Sequence, residues 1–294
     1  MTTNARLRAL VELAETGSVR RAAERLVVTE SSVSSSVSAL TADVGTPLVT
    51  RHGRGVRLTP AGERYAEYAR RILGLHAEAV LAAHAEADPE HGAVRLGAVT
   101  TAGEFLIPDM LASFREKHPG VVLRLEVAPR GLIWPMLARH EVDLVVAGRP
   151  PDDLFPARVR AVSPNSLVVV GAPDERPDFD PARVTWLLRE PASGMRATCA
   201  ALLERLDVSP PQMTLGSNGA VIAAAVAGLG VTLVSRHAVS RELGSGALVE
   251  LPVPGVPLDR PWHVVSQPDP TPSTRLLIEH VLAVPALDWR EPRS

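Results

Sequence analysis

Between Thr29 and Ser38 the chain concentrates side chains that exchange hydrogen bonds with polar edges: Thr29, Glu30, Ser31, Ser32, Ser34, Ser35 and Ser38. A hydroxyl both donates and accepts, and a carboxylate accepts from an amino group such as cytosine N4, so this set suits base edges in a DNA groove. Such a helix adds no phosphate attraction of its own. That task falls to cations on either side, Arg20 and Arg21 before it and Arg51, Arg54 and Arg57 after it, with Ser18 at the start of the same block.

The local pattern fixes how these residues are held. Ser18 reads as an N-cap, after which Val19, Ala22, Ala23 and Leu26 recur at i, i+3, i+4 and i+7 on one helical face. The pattern breaks at Val27-Val28. Thr29 reads as a second N-cap, and Val33, Val37, Leu40 and Val44 form a second apolar stripe. Two short helices joined by a tight break make a helix-turn-helix, whose second helix enters the major groove. Leu7, Leu10, Val11 and Leu13-Ala14 predict a helix in front. Gly45 fits a helix stop, and Pro47 prevents a restart. Arg51–Arg57, with Gly53 and Gly55, reads as a short hairpin or wing.

Charge supports this placement. The chain carries −2 overall, but eleven arginines against seven carboxylates leave +4 on residues 1–75, and hence −6 on the remainder. The segment predicted to meet DNA is the basic one.

Residues 60–87 predict one long helix, capped by Thr59 with Pro60 at its first position. Some 28 residues at 1.5 Å each give roughly 42 Å. Tyr65, Ala69, Ile72, His76, Ala79 and Ala83 alternate spacings of four and three, a seam that a second copy of the helix buries. Dimerisation also joins two weak half-site contacts into one strong one. Asp88–Gly92 ends the helix as a hinge.

From about residue 93 short β-branched runs alternate with helical patterns. Strands are predicted at Val94–Val99, Val121–Val127, Leu144–Ala147, Leu167–Gly171, Thr185–Leu188, Met213–Leu215, Val231–Val234 and Trp262–Val265. Helices are predicted near 104–117, 132–140, 194–206, 219–228 and 273–284. Alternation of this kind gives α/β layers. The predicted architecture is a multidomain α+β chain: a DNA-binding domain over 1–59, a linker helix and hinge over 60–91, and an α/β domain over 92–290. The proline-rich stretch 252–261 reads as a connecting loop.

Composition excludes several classes. With 46% hydrophobic and 22% charged residues the chain is not disordered. It has no run of about 18 uncharged apolar residues and no signal-peptide h-region, which points to a cytoplasmic protein without a membrane partner. The single cysteine, Cys199, allows no internal disulfide and reads as a small buried hydrophobe. There is no Gly-x-Ser-x-Gly, no P-loop and no His/Cys metal spacing, so neither catalytic residues nor a metal or cofactor are expected. Asp143, at a strand start, reads as structural.

Across almost its whole length the chain resembles the LysR-type transcriptional regulators. The resemblance rests on Ala22-Ala23, Leu26, Ser34, Leu40, Gly45, Leu48, Arg51 and Leu58-Thr59-Pro60-Ala61-Gly62 in that order and spacing. Looser matches follow at Gly97–Thr101, Phe114–Gly120, Val142–Val145 and Gly228–Val231. It implies a winged helix-turn-helix, a linker-helix dimer and a two-lobed domain like the periplasmic binding proteins. The lobes would be about 93–161 with 267–288, and about 162–266. It further implies double-stranded promoter DNA, a small-molecule effector and RNA polymerase as partners, in a homodimer or homotetramer. The chain departs from the family pattern at Glu30 (often Gln), Ser35-Ser36 (Arg-Gln), Thr41 (Glu) and Val49 (Phe), which bears on the operator sequence more than on the fold. The alternative, a transporter's solute-binding protein, shares the two-lobed fold but leaves the helix-turn-helix unexplained.

In a two-lobed domain the ligand lies between the lobes, at strand-to-helix turns whose free N–H groups favour anions. Thr100-Thr101, Ser193 with Arg196, and Asn218-Gly219 occupy three such turns, and Arg149 follows a strand end. These are the candidate effector contacts, suited to a carboxylate or phosphate. The turns Thr100–Ala102, Gly148–Pro151 and Glu190–Arg196 look like the branch regulating carbon-fixation operons, whose members answer phosphorylated sugars or nucleotides.

Overall fold

A computed structural model describes residues 3–52, 55–151, 156–175, 179–191 and 193–292. The chain forms two units, Met1–Ala83 with Ala138–Glu141, and His84–Leu137 with Val142–Ser294.

The first unit opens with α1 (Asn4–Thr16), α2 (Val19–Leu26) and α3 (Glu30–Val44). Ser18 and Thr29 cap the second and third helices as the sequence predicts. Their hydroxyls accept from the Arg21 amide at 3.4 Å and the Ser32 amide at 3.2 Å. Gly45 closes α3 at φ 72°, a left-handed conformation that suits glycine. Val33, Val37 and Leu40 are buried against Leu7, Leu10 and Leu13 of α1. Each such side chain contributes roughly 1.5–3 kcal/mol by leaving water. Strands β1 (Val49–His52) and β2 (Gly55–Leu58) pair antiparallel with Thr50 opposite Arg57, forming the wing. Gly53 and Arg54 lie outside the described residues, so the expectation for Arg54 finds no structural counterpart here.

Helix α4 (Pro60–Ala87) is continuous over the predicted range. Ala66 and Ala69 are buried in the core of the first three helices, and Tyr65 packs against it. Two of the six expected seam positions, Tyr65 and Ala69, therefore belong to this unit's own core. Ile72, His76, Ala79 and Ala83 are exposed. The exposed apolar line runs through Tyr68, Ile72, Leu75 and Ala79, again with spacings of four and three. Ile72 and Ala79 belong to both this line and the expected seam, because a 4-3 spacing is satisfied by either row.

The second unit runs β3 (Ala93–Ala98), α5 (Thr100–Phe105), α6 (Ile107–Lys117), β4 (Val122–Val127), α7 (Arg130–Ala138), β5 (Leu144–Ala147) and β6 (Arg158–Ser163). It continues with β7 (Ser166–Gly171), β8 (Trp186–Leu188), α8 (Gly194–Arg205), β9 (Gln212–Thr214), α9 (Asn218–Val226), β10 (Thr232–Ser235) and α10 (Ser240–Ser245). It ends with β11 (Val249–Glu250), β12 (Leu258–Asp259), β13 (Trp262–Ser266) and α11 (Pro272–Ala283). The first sheet has the order β4-β3-β5-β13-β6, with β3 parallel to both neighbours and β13 antiparallel to β5 and β6. In the second lobe β7 pairs with β10, β11 and β12, and β8 pairs parallel with β9.

The chain therefore crosses between lobes at residues 163–166 and returns at 259–262. The expected lobe boundary at 161/162 and 266/267 shifts, because Trp262–Ser266 is hydrogen-bonded inside the first sheet. The single helix expected over 104–117 is two, α5 and α6, broken at Leu106 ahead of Pro108, the second residue of α6. Asp143 is buried and accepts from the Arg95 amide at 2.7 Å and its Nε at 3.1 Å, a structural ion pair. Among the described residues no helix is long and apolar enough to cross a membrane.

Candidate functional site

Helix α3 presents its polar face to solvent. Thr29, Glu30, Ser31, Ser32, Ser34, Ser35 and Ser38 are all exposed, while Val33, Val37 and Leu40 of the apolar stripe are buried. The hydroxyls differ in what they have left to offer. Thr29 Oγ1 serves as the cap and also meets Ser31 Oγ at 2.9 Å and Ser32 Oγ at 2.8 Å. Ser35 donates to the Ser32 carbonyl at 3.1 Å. Neither Glu30, Ser34 nor Ser38 makes a side-chain hydrogen bond or ion pair among the described residues, so these three face outward uncommitted.

The arginines also divide. Arg51 and Arg57, on the paired strands of the wing, are exposed. Arg20 sits 3.9 Å from Glu24 in a solvent-facing pair of the kind that contributes little. Arg21, expected to meet phosphate, donates instead to the Thr16 carbonyl at the end of α1, where it ties two helices together. Ser18 is committed as the cap of α2. Elsewhere in the unit Arg25 bridges Glu12 and Glu15 at 3.0 and 3.1 Å. On α4, Arg64 and Arg71 flank the exposed Tyr68 ring at 6.0 and 5.9 Å, within cation–π range.

In the second unit a cavity of about 260 Å³ lies between the two lobes. Its walls come from the ends of strands: Val99, Thr100 and Thr101 after β3, Pro129 and Arg130 after β4, Gly148 after β5, and Arg189, Glu190, Ser193, Gly194 and Met195 after β8. Asn165 and Leu167 at one crossing, Arg260 and Trp262 at the other, and Thr198 on α8 complete it. Thr100, Thr101 and Ser193 thus line the cavity as expected. Ser193 heads α8 without a side-chain cap bond, and its hydroxyl makes no hydrogen bond among the described residues.

Four expected contacts do not line it. Arg196 donates to the Arg189 carbonyl at 2.8 Å and Thr214 Oγ1 at 3.0 Å, holding the turn after β8 together. Asn218 is buried, accepts from Arg189 and donates to Glu104 Oε2 at 2.8 Å. Gly219 is exposed away from the cavity, and at Arg149 the main-chain carbonyl accepts from Arg130 at 2.7 Å. Strand-end position alone does not tell a lining side chain from one that braces the turn.

The sequence reading missed Arg130 and Arg260. Arg130 opens α7, with its guanidinium over the Trp134 ring at 5.9 Å. Burial pulls its pKa below the usual arginine value, and the nearby Arg260 charge adds to this. Arg260 makes no side-chain hydrogen bond or ion pair among the described residues, while its main chain exchanges bonds of 2.8 and 2.9 Å with Asn165. Two like charges turned toward one cavity are stabilised by an anion placed between them. The strand-to-helix turn Pro129-Arg130-Gly131 carried the signal that flagged the other turns. Arg260 follows a proline-rich loop and carries no local signal.

The described residues contain no cluster of metal-ligating side chains. Cys199 is buried, and burial pushes its thiol up to about 12, so it is no nucleophile.

Residues 5–63 match the family described as bacterial regulatory helix-turn-helix protein, lysR family, and residues 87–286 match the LysR substrate binding domain. The chain is 37% identical over 254 residues to the HTH-type transcriptional regulator CbbR of Rhodospirillum rubrum, covering 84% of each chain. It is 34% identical over 279 residues to the RuBisCO operon transcriptional regulator of Acidithiobacillus ferrooxidans, covering 92% of this chain and 90% of that one. Full-length OxyR C199D from Pseudomonas aeruginosa superimposes with a TM-score of 0.70 at 20% identity, over 100% of this chain and 99% of that one. A helix-turn-helix match in front of the two-lobed domain leaves the transporter reading unsupported. Fold, site geometry and both family matches agree that this chain belongs to the LysR family of bacterial transcriptional regulators.

Proposed function

We propose that this regulator binds the promoter of a carbon-fixation operon as a homo-oligomer and answers a small anionic metabolite held between its lobes. The observation that carries the effector class is that Arg130 and Arg260 line one cavity together with Ser193. Glu30, Ser34 and Ser38 supply base readout, and Arg51 and Arg57, with Arg54 between them in sequence, meet phosphates. The line Tyr68, Ile72, Leu75 and Ala79 buries itself against a second copy of α4. The operon class is supported by the similarity to the RuBisCO operon transcriptional regulator of Acidithiobacillus ferrooxidans.

The test is a footprint with a salt-series titration on DNA upstream of the chain's own gene and of a carbon-fixation operon. A protected dyad spanning more than one helical turn, with steep salt dependence, is the expected result. Glu30→Ala then relaxes base preference by about 1–3 kcal/mol at one position. Arg57→Ala weakens operator and scrambled DNA alike and lowers the salt slope by about one. Equal losses on both DNAs for Glu30→Ala would refute base reading by that carboxylate. Operator affinity, footprint and bend unchanged by a bound anion would refute the effector role, since a ligand shifts only an equilibrium whose states it distinguishes.

A further inference from the structure

One cation of the cavity wall already holds an anion, and that anion belongs to the chain. Arg189 opens the turn after β8 and is 7% exposed. Its Nε and Nη2 donate to the two carboxylate oxygens of Glu190 at 2.8 and 2.9 Å, and its Nη1 donates to Asn218 Oδ1. Both Arg189 and Glu190 line the cavity, and the Glu190 side chain is 37% exposed. A guanidinium fork that binds a carboxylate with two parallel hydrogen bonds fits a phosphate equally well. Beyond the fork the connection runs on: Asn218 Nδ2 donates to Glu104 Oε2 at 2.8 Å and Thr101 Oγ1 at 3.4 Å, both on α5 of the other lobe.

We propose that Glu190 is an internal competitor of the effector, occupying the fork of Arg189 in the empty cavity and yielding it to the effector's anionic group. The proposal rests on the anionic-effector reading and adds the residue that sets its affinity. A buried guanidinium without a counter-charge is costly, so Arg189 holds one anion or the other for most of the time and its fork is free for only a small fraction of it. The hydrogen bond from Arg189 is also what holds the Glu190 carboxyl below the usual carboxylate range, so the competitor stays ionised near neutral pH. Self-competition weakens the apparent affinity by the fraction of time the fork is free. Because the same arginine holds Asn218, and Asn218 holds α5, the exchange is felt where the lobes meet.

The test uses the full chain with inorganic phosphate as the probe, read by calorimetry and by thermal melting. Glu190→Gln removes the competing charge while keeping the shape. Taking a fork that is free about a tenth of the time, it binds phosphate about tenfold more tightly than the wild type. Its melting temperature then depends more steeply on phosphate. Glu190→Asp, one methylene shorter, tightens binding by a smaller factor and carries the test if the glutamine variant does not fold. Unchanged or weaker binding in these variants overturns the proposal. If Arg130→Ala loses phosphate while Glu190→Gln has no effect, the anionic cavity stands and the competitor falls. If neither the wild type nor Glu190→Gln binds phosphate saturably, both readings fall.

Discussion

Helix α3 draws its outward polar face from positions between Glu30 and Ser38, whereas the cavity collects its walls from strand ends scattered between Val99 and Trp262. The first site is held by one helix, two caps and a buried stripe three to four residues apart. The second exists only when two sheets, joined by two crossings, bring their strand ends together. A site of the first kind is a property of local sequence, and a site of the second kind is a property of topology. Local damage should therefore abolish one and spare the other.

The sharpest way to break that contrast is Leu40→Ala. Leu40 is fully buried between α3 and α1, and truncation leaves a cavity costing about 2–5 kcal/mol. The expected outcome is a lowered melting transition for the first unit and loss of DNA binding, with phosphate binding in the second unit retained. Calorimetry and a DNA titration on the same preparation check this. A parallel loss of phosphate binding would mean the two sites are not separable.

The same contrast explains what could be read from the chain. The caps Ser18 and Thr29, the stop at Gly45 and the stripe Val33–Leu40 all act within a few residues, so their reading needs no tertiary information. The strand β6 was missed although Arg158, Arg160 and Val162 alternate with Val159, Ala161 and Ser163, because short alternation is weak beside longer apolar runs. In the cavity, the rule that ligands meet strand ends located Thr100, Thr101 and Ser193. It could not separate them from Arg196 and Asn218, whose side chains turn back to brace Arg189. On α4, Tyr65 and Ala69 satisfied the seam spacing, yet the first three helices claim those two positions. Periodicity finds a face and leaves open what covers it.

A smaller effect separates the units by pH. His237, His263 and His280 of the second unit all have pKa values below the ordinary 6.5, with burial the first cause. At His280 the neighbouring Lys117 and His118 charges add to it, and Nε2 lies 3.0 Å from Ser113 Oγ. Each is neutral when folded and takes up a proton on unfolding once the pH drops below 6.5. Stability is therefore fully present above 6.5 and declines as pH falls toward the folded values. Of the first unit's histidines, His52 and His76 are exposed, and His140 Nδ1 lies 2.5 Å from Glu78 Oε2. Melting curves from pH 8 to 5.5 should show the second unit weakening first, and His280→Gln should flatten that decline. A first unit that weakens as steeply would remove histidine burial as the cause.

The smallest effect runs in the stabilising direction and concerns the turn on which the first site depends. Val27 joins α2 to α3 at φ 56°, a left-handed conformation that a β-branched residue adopts at a cost of about 1–2 kcal/mol. It is 89% exposed, so its methyl groups gain almost nothing from packing in return. The turn is held by backbone alone, the amides of Val27 and Val28 donating to Glu24 and Ala23 carbonyls at 3.3 and 3.0 Å. Val27→Gly relieves the strain, while the extra freedom of glycine in the unfolded chain takes back about 0.5–1 kcal/mol. The net gain is about 0.5–1 kcal/mol, a rise of a few degrees in the first unit's melting temperature. Val27→Asn keeps a Cβ yet tolerates the same φ, so it should give part of that gain. If both variants lose stability, the valine's exposed surface is covered in the assembled protein and the strain is offset there. If both gain stability but lose operator affinity, the turn itself touches DNA, and the first site extends beyond the face of α3.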